Sequence, residues 1–427
     1  MDTTKTPRHK EEELEKRPAS SVPSCLGGSK PLPPGWRWVR LGEVCIGVTS
    51  RDPGREPDAP FRYIEISSID TQTKRIVSAR TLIGKNTPNR ARQLVHAQDV
   101  LVATTRPNLN TVALVPEELH ESIASTGFCL LRCGPELLPD YLFHFVQLPD
   151  FIQALTDLTK GSTYPAVTDG QVRRQEIPLP PLAEQRRIAG ILKEQMAAVE
   201  RARAAARAKL DAIKALPAAF LRQVFPQPGQ PLPPGWRWVR LGEVCVQDRL
   251  IVEARSPDAA NLPYLGLEDV ESQTGRILKT SPQPDEGDGV STTFRFTPEH
   301  VLYSKLRPYL NKVALPEFEG RCTTEMIPLR CGQQICREFL ALILRRPETV
   351  EHAMRGKTGS RMPRADMDHL LQLEIPLPPL AEQRRIAAIL REQMAVVERA
   401  RAAVEAELEA IQALPAALLR RAFSGEL

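Results

Sequence analysis

The chain is 427 residues long, with 57 Lys+Arg against 52 Asp+Glu and a formal net charge of +5. Its 42% hydrophobic content excludes a disordered chain, and its length predicts two or more domains. No run approaches the ~18 apolar residues of a membrane span, and the opening MDTTKTPRHKEEELEKR lacks the apolar core of a secretory signal, so a cytoplasmic protein is expected.

Taken in chain order, residues 1–30 read as a flexible tail of no assigned role. Residues 31–178 mix short β-type runs (Trp36–Val39, Val100–Ala103, Phe128–Leu131) with turn signals at Asp52-Pro-Gly and Arg106-Pro and a helical stretch at Leu138–Leu148. This predicts an α+β globule. Trp36 and Trp38, at i, i+2 spacing on one strand face, read as packing or subunit-docking residues.

Residues 179–225 predict a long helix. A proline opens it, Glu184 suits its first turn, and apolar residues recur every three or four positions: Ile188, Leu192, Met196, Val199, Ala202, Ala206, Leu210, Ile213 and Leu216. That stripe is a coiled-coil seam. Pro217 is expected to break the helix, leaving a short second helix over 218–225. A linker comes next at 226–230, then a second globule at 231–376 with a helical run at Phe339–Leu344, and a second helix at 377–427. The seam of that helix is Ile386, Leu390, Met394, Val397, Ala400, Val404, Leu408, Ile411 and Leu414, with a break expected at Pro415.

The second half repeats the first. PLPPGWRWVRLGEVC at 31–45 recurs letter for letter at 231–245, and EIPLPPLAEQRRIA at 176–189 recurs at 374–387. Between these anchors Arg106-Pro-Asn-Leu-Asn matches Arg307-Pro-Tyr-Leu-Asn, and Arg132-Cys-Gly matches Arg330-Cys-Gly. Two such units are too few for a solenoid; this is a tandem pair. A helix over 182–216 carries the chain about 50 Å from the first globule. The second helix must bury its own seam, and the first helix, run the opposite way, is its nearest partner. The expected architecture is two globules at opposite ends of an antiparallel helix pair, with pseudo-twofold symmetry.

The two copies of IPLPPLAEQRRIA, each preceded by a Gly-Ser loop (Gly161-Ser162, Gly359-Ser360), resemble the specificity subunits of type I restriction–modification enzymes. The LPPGWRWVRLGEV entry to each half and the RPxLN segment fit as well, so the resemblance covers nearly all of the chain after residue 30. It implies two target-recognition domains (31–178 and 231–376), each reading one half of a split, asymmetric double-stranded DNA sequence. It also implies that the coiled-coil helices set the gap between half-sites and dock methyltransferase subunits, two of them, alongside a restriction/translocase subunit. S-adenosylmethionine, ATP and Mg would be used by those partners, with no cofactor in this chain.

Two domains that read different half-sites share their framework and differ where they touch bases. Shared Arg106 and Arg307, with Asn110 and Asn311, therefore read as phosphate-holding or fold residues. DNA-binding candidates in the first half are Arg51, Arg55, Lys74, Arg75, Lys85, Asn86, Arg90, Arg92, Arg106, Asn108, Lys160 and Tyr164. Those in the second are Arg249, Arg276, Lys279, Lys305, Arg307, Tyr309, Lys357, Arg361 and Arg364. Arg to guanine and Asn to adenine are the major-groove pairings open to them.

No Walker-type G-x-x-x-x-G-K-[ST] is present, so no motor ATPase is expected. Asn261-Leu-Pro-Tyr264 lacks the second proline of an amino-methyltransferase pocket, and no Ser/His/Asp or Cys/His arrangement stands out. The eight Cys lack the ligand spacing of a zinc site and read as reduced, buried thiols. The chain is thus expected to recognise rather than catalyse. A stand-alone regulator of split operators and a coiled-coil scaffold that binds no DNA are the competing functions. The charge excess does not discriminate: residues 181–225 carry +5, while 31–180 and 231–378 sum to 0 and −1.

Overall fold

A computed structural model describes residues 32–159, 165–227, 229–253, 256, 259, 261–280 and 292–427. It divides into two units, and each draws on both copies of the repeat. One ends its main run at Ala204 and adds Glu409–Leu427; the other is Ala205–Leu408.

In the first unit the repeated Pro-Pro-Gly-Trp makes a turn: Gly35 sits at φ +83° and Trp36 N donates to Pro33 O at 3.1 Å. That φ is the reason for glycine there. Strand Arg37–Arg40 then pairs antiparallel with Glu176–Leu179, which staples the entry of the globule to its exit. Trp36 precedes this strand rather than lying in it and packs half-buried against the core. One four-stranded sheet runs in the order Cys45–Ile46, Phe128–Cys133, Val100–Ala103, Val112–Leu114. The other runs Arg80–Ile83, Pro60–Ile64, Ile123–Ser125, Ala91–Leu94, with Pro60–Ile64 and Ile123–Ser125 parallel. Helices Pro139–Phe145 and Pro149–Asp157 cover the first sheet. The predicted helix over 138–148 is therefore shorter, because Pro149 starts a new one.

The second unit repeats the plan. Arg237–Arg240 pairs with Glu374–Leu377, and Cys245–Gln247, Met326–Cys331, His300–Ser304 and Val313–Ala314 form the matching sheet. Cys45 faces Cys133, and Cys245 faces Cys331, as cross-strand partners. Burial is the main force pushing these thiols up, Cys45 to about 11 and both Cys245 and Cys331 to about 12.

The long helices run Leu182–Val224 and Leu380–Ser424, each with its proline inside, so the breaks expected at Pro217 and Pro415 do not occur. A proline in a helix costs about 3 kcal/mol. The turns just beyond each proline offset that cost: Leu221 and Phe225 are 3% and 2% exposed in the second unit's core, as are Leu419 and Phe423 (3% and 1%) in the first. Burying such a side chain stabilises by roughly 1.5–3 kcal/mol. The Phe423 ring lies 5.1 Å from Tyr141 and 5.3 Å from Phe145, and Phe225 lies 5.4 Å from Phe339. Each globule is thus completed by the end of the helix that belongs to the other copy.

The helix segments run antiparallel in each unit. In the first, Ile188, Leu192 and Met196 meet Leu418, Leu419 and Phe423, and Arg187 donates to the carbonyl of Leu427 at 2.6 Å. In the second, Ile213, Leu210 and Phe220 meet Val397, Ala400 and Val404, with Lys209 Nζ 3.4 Å from Glu407. The seam is not uniform. Ile188, Leu192, Ile386 and Leu390 belong to the globular cores, whereas Ala202 is exposed and Leu216 and Leu414 are 38% and 44% exposed. Val199 and Ile411 are buried, and Met394 and Leu408 half-buried. Among the described residues no helix is long and apolar enough to cross a membrane.

Candidate nucleic-acid interface

The most unusual backbone in each unit is the repeated Arg-Pro-x-Leu-Asn. Arg106 and Asn110 both lie in the left-handed region (φ 51° and 49°) on either side of a single 3-10 turn at Pro107–Leu109. Arg307 and Asn311 do the same (φ 50° and 50°) around Pro308–Leu310. For an arginine that region costs about 1–2 kcal/mol, and less for an asparagine, so the arginine in particular is held there by its surroundings. Arg106 N donates to Pro165 O at 2.8 Å and Asn110 Nδ2 to Gln147 O at 3.1 Å. Arg307 N donates to Pro363 O at 2.7 Å and Asn311 Nδ2 to Arg345 O at 3.0 Å. The asparagines are thus fold residues. The turn leaves Arg106 and Asn108, or Arg307 and Tyr309, exposed at its tip.

An adjoining loop ties this turn to the long helices. In the second unit Gln273 N donates to Leu310 O at 3.0 Å, and the preceding Glu271 accepts from Arg401 at 3.0 Å. In the first, Arg203 donates to Gln72 Oε1 at 2.8 Å, and Lys74 donates to the carbonyl of Asn110. Backbone N–H donation from Gln72 and then Thr73 is the main force lowering the Asp70 carboxyl below its usual range. Arg203 and Arg401 are equivalent positions of the repeat, and sequence reasoning passed over both. The signal was present: ERAR recurs unchanged at 200–203 and 398–401.

The remaining candidates fall into distinct places. In the first unit, Arg51 N donates to Arg92 O (2.9 Å) at the Ala91–Leu94 edge of the sheet, which holds the loops carrying Arg51, Arg55, Arg90 and Arg92. Lys85 N donates to Pro57 O (2.8 Å) just past the opposite edge strand, Arg80–Ile83, where Lys85 and Asn86 lie. Arg51 is paired with Glu56 at 3.0 Å, and Arg92 lies 3.5 Å from Asp52. Arg55, Lys85, Asn86 and Arg90 are exposed. Lys74, half-buried beneath the strained turn, is pushed down to about 8 by desolvation. Arg75 sits opposite Asp70 in a two-stranded ribbon. Lys160 and Tyr164 lie outside the described residues.

In the second unit Arg249 is exposed beside Gln247, Arg276 pairs with Glu271 at 3.3 Å, and Lys279 lies 3.7 Å from Asp269. Lys357 and Arg361 are exposed on the Gly-Ser loop, and Lys305 and Arg364 share Glu325, a residue sequence reasoning missed. The structure therefore gathers Lys305, Arg307, Tyr309, Lys357, Arg361 and Arg364 around one strand end. It sets Arg249 on a different strand end and pairs Arg276 and Lys279 with carboxylates.

The glutamine of the repeated AEQRRIA is fully buried in both copies. Gln185 accepts from Leu138 N at 2.9 Å and donates to Glu136 O (2.8 Å) and Pro180 O (2.9 Å). Gln383 makes the same three bonds with Cys336 N (2.9 Å), Gln334 O (2.8 Å) and Pro378 O (2.9 Å). This part of the motif locks each long helix to its globule. Among the described residues no group of three or more His, Cys, Asp or Glu is placed to hold a metal ion.

This two-unit architecture has known relatives. The model of the type I restriction modification DNA specificity domain matches twice, at residues 33–206 and 233–409. A chain solved in work on the structural basis of complex assembly and conformational transition of the type I R-M system is 35% identical. The match covers 93% of this chain and all of that one, with a TM-score of 0.78. The HsdS subunit from Thermoanaerobacter tengcongensis is 37% identical over 94% of this chain and 99% of its own, with a TM-score of 0.60. The type I restriction enzyme EcoDI specificity subunit of Escherichia coli is 26% identical over 311 residues, 65% of this chain and 68% of that protein. With the specificity-domain model covering both copies of the repeat, the chain belongs to the family of type I restriction–modification DNA specificity subunits.

Proposed function

We propose that the chain reads a bipartite, asymmetric duplex DNA target, one half-site per unit, and brings methyltransferase and restriction subunits to it without supplying a catalytic group. The observation that carries this reading is the strained turn. Its backbone is the same in both units, while its exposed tip differs, Asn108 in one and Tyr309 in the other. A shared scaffold with a divergent tip suits two modules that dock alike on the DNA backbone and read different bases. S-adenosylmethionine, ATP and Mg then belong to the partners, two methyltransferase subunits and a restriction/translocase subunit, and the work is done in the cytoplasm.

Both globules are near neutral, so the isolated chain should hold duplex DNA weakly and in a strongly salt-dependent way. A methylation map of the source genome, with and without this gene, tests the reading. A split methylated motif should vanish on deletion; an unchanged map sinks the proposal. Nanomolar binding by the chain alone, with no change in methylation, would favour an operator-binding regulator instead.

A further inference from the structure

The two units share a second frame beside the strained turn, and here their chemistry diverges. In the first unit Thr104 N donates to Gly127 O at 2.9 Å and Val167 N to Thr104 O at 2.9 Å. In the second, Lys305 N donates to Glu325 O at 2.9 Å and Ala365 N to Lys305 O at 2.8 Å. The same strand end, neighbouring turn and returning loop therefore meet in both. The three residues at this junction are Thr104, Gly127 and Ala166 in one unit and Lys305, Glu325 and Arg364 in the other. The junction is neutral and small in the first unit and a charged triad of net +1 in the second.

Arg364 is the best-held member. Its backbone N donates to Thr358 O at 2.9 Å and its carbonyl accepts from Thr358 N at 2.8 Å, while a further bridge joins it to Leu306. Its Nε lies 2.9 and 3.1 Å from the two carboxylate oxygens of Glu325, whose other neighbour is Lys305 at 3.9 Å. The Arg364 side chain is 42% exposed, and its two Nη groups make no hydrogen bond among the described residues. A guanidinium gripped at Nε by a carboxylate is a planar fork of fixed direction with its outer N–H donors free. That is the donor pattern that meets O6 and N7 of guanine.

Resting on the specificity-subunit reading above, we infer that Arg364, oriented by Glu325, is a specificity-determining residue that reads a guanine in the half-site of the second unit. Arg106 and Arg307 differ from it in the telling respect: they are identical in both units and so cannot distinguish half-sites. The bland alternative is an ordinary surface ion pair, worth about 0–1 kcal/mol to stability and nothing to recognition.

The test uses the full chain with its methyltransferase subunits, in a host without other adenine methylation, and maps methylated motifs for the parent, R364A and R364K. Both variants should keep one half-site intact and lose guanine preference at one position of the other by about 5- to 150-fold. R364K should retain the overall salt-dependent affinity, because it keeps the charge but not the fork. The intact half-site reports that the complex is folded and assembled. An unchanged motif, or relaxation in both halves, overturns the inference while leaving the specificity-subunit reading in place. If the parent itself yields no split motif, the reading falls and this inference with it. Should R364A abolish methylation, purified R364K complex competed among duplexes carrying each base at each half-site position decides. Loss at one guanine supports the assignment; uniform weakening marks a phosphate contact and overturns it.

Discussion

Replacing Gln383 by leucine isolates what the AEQRRIA motif is for. The side chain is fully buried, and leucine nearly conserves its volume, so the substitution removes three hydrogen bonds without opening a large cavity. It strands the N–H of Cys336, the residue at the N-cap position of the helix Arg337–Arg345, and the carbonyls of Gln334 and Pro378. A buried group left unpaired costs about 1–3 kcal/mol, and relaxation or an entering water relieves part of the sum. A net loss of about 3 kcal/mol is expected, which lowers the melting temperature of a unit this size by about 6–12 °C.

Scanning calorimetry of the full chain reads this directly. Q185L should shift the transition of the first unit, and Q383L that of the second. A melting temperature unchanged within about 1 °C in both, with assembly onto methyltransferase subunits lost instead, would refute the structural account and make the motif a docking surface.

The same geometry carries three further expected outcomes. R106A and R307A should each weaken DNA binding by the assembled complex evenly across sequences and reduce the slope of log K against log salt by about 1, read by fluorescence anisotropy. Deleting one heptad from each long helix, at 204–210 and 402–408, which keeps the seam in phase and leaves Arg203 and Arg401 in place, should shorten the gap in the methylated motif by about three base pairs, from ~10 Å of lost helix. A motif of unchanged gap would show that the helices do not set the spacing. The buried thiols should resist iodoacetamide at pH 8 in the native state and react on unfolding, tracked by intact mass. Their native pKa values are raised, Cys129 to about 12 with burial as the main cause. The stability they contribute is therefore full below the unfolded value near 8.5–9 and drains away as pH climbs toward 12.

What was legible in the sequence was whatever the repeat copied. Pro-Pro-Gly-Trp, the strand after it and the Glu-Ile-Pro-Leu strand were visible because a positive-φ glycine and an alternating strand leave local marks. Their pairing was not, because 31–45 and 176–189 meet only through the closed globule. Pro217 and Pro415 misled for the same reason. A helix-breaking residue is a local signal of about 3 kcal/mol, and the burial of Phe225 and Phe423 that overrides it comes from the opposite copy of the repeat. The seam pattern hid a similar division: Ile188 and Ile213 look alike in sequence, yet one is globule core and the other faces a helix.

The candidate interface divides along the same line. A roll of basic residues treats Lys74, Arg276 and Arg364 as equals, and net charge cannot rank them, since both globules sum to nearly zero. Their partners can. Lys74 is spent beneath a strained turn, Arg276 is shared with a carboxylate that a helix arginine also holds, and Arg364 is gripped only at its inner nitrogen. The carboxylate that makes the difference, Glu325, stands where the first copy has Gly127, and the two copies differ there together with Lys305 and Arg364 at one junction. Duplicated modules that must dock alike and read differently have to concentrate their differences at such junctions. The sequence positions where the two copies part company together, on a backbone frame they share, are therefore the places to look for what each one reads.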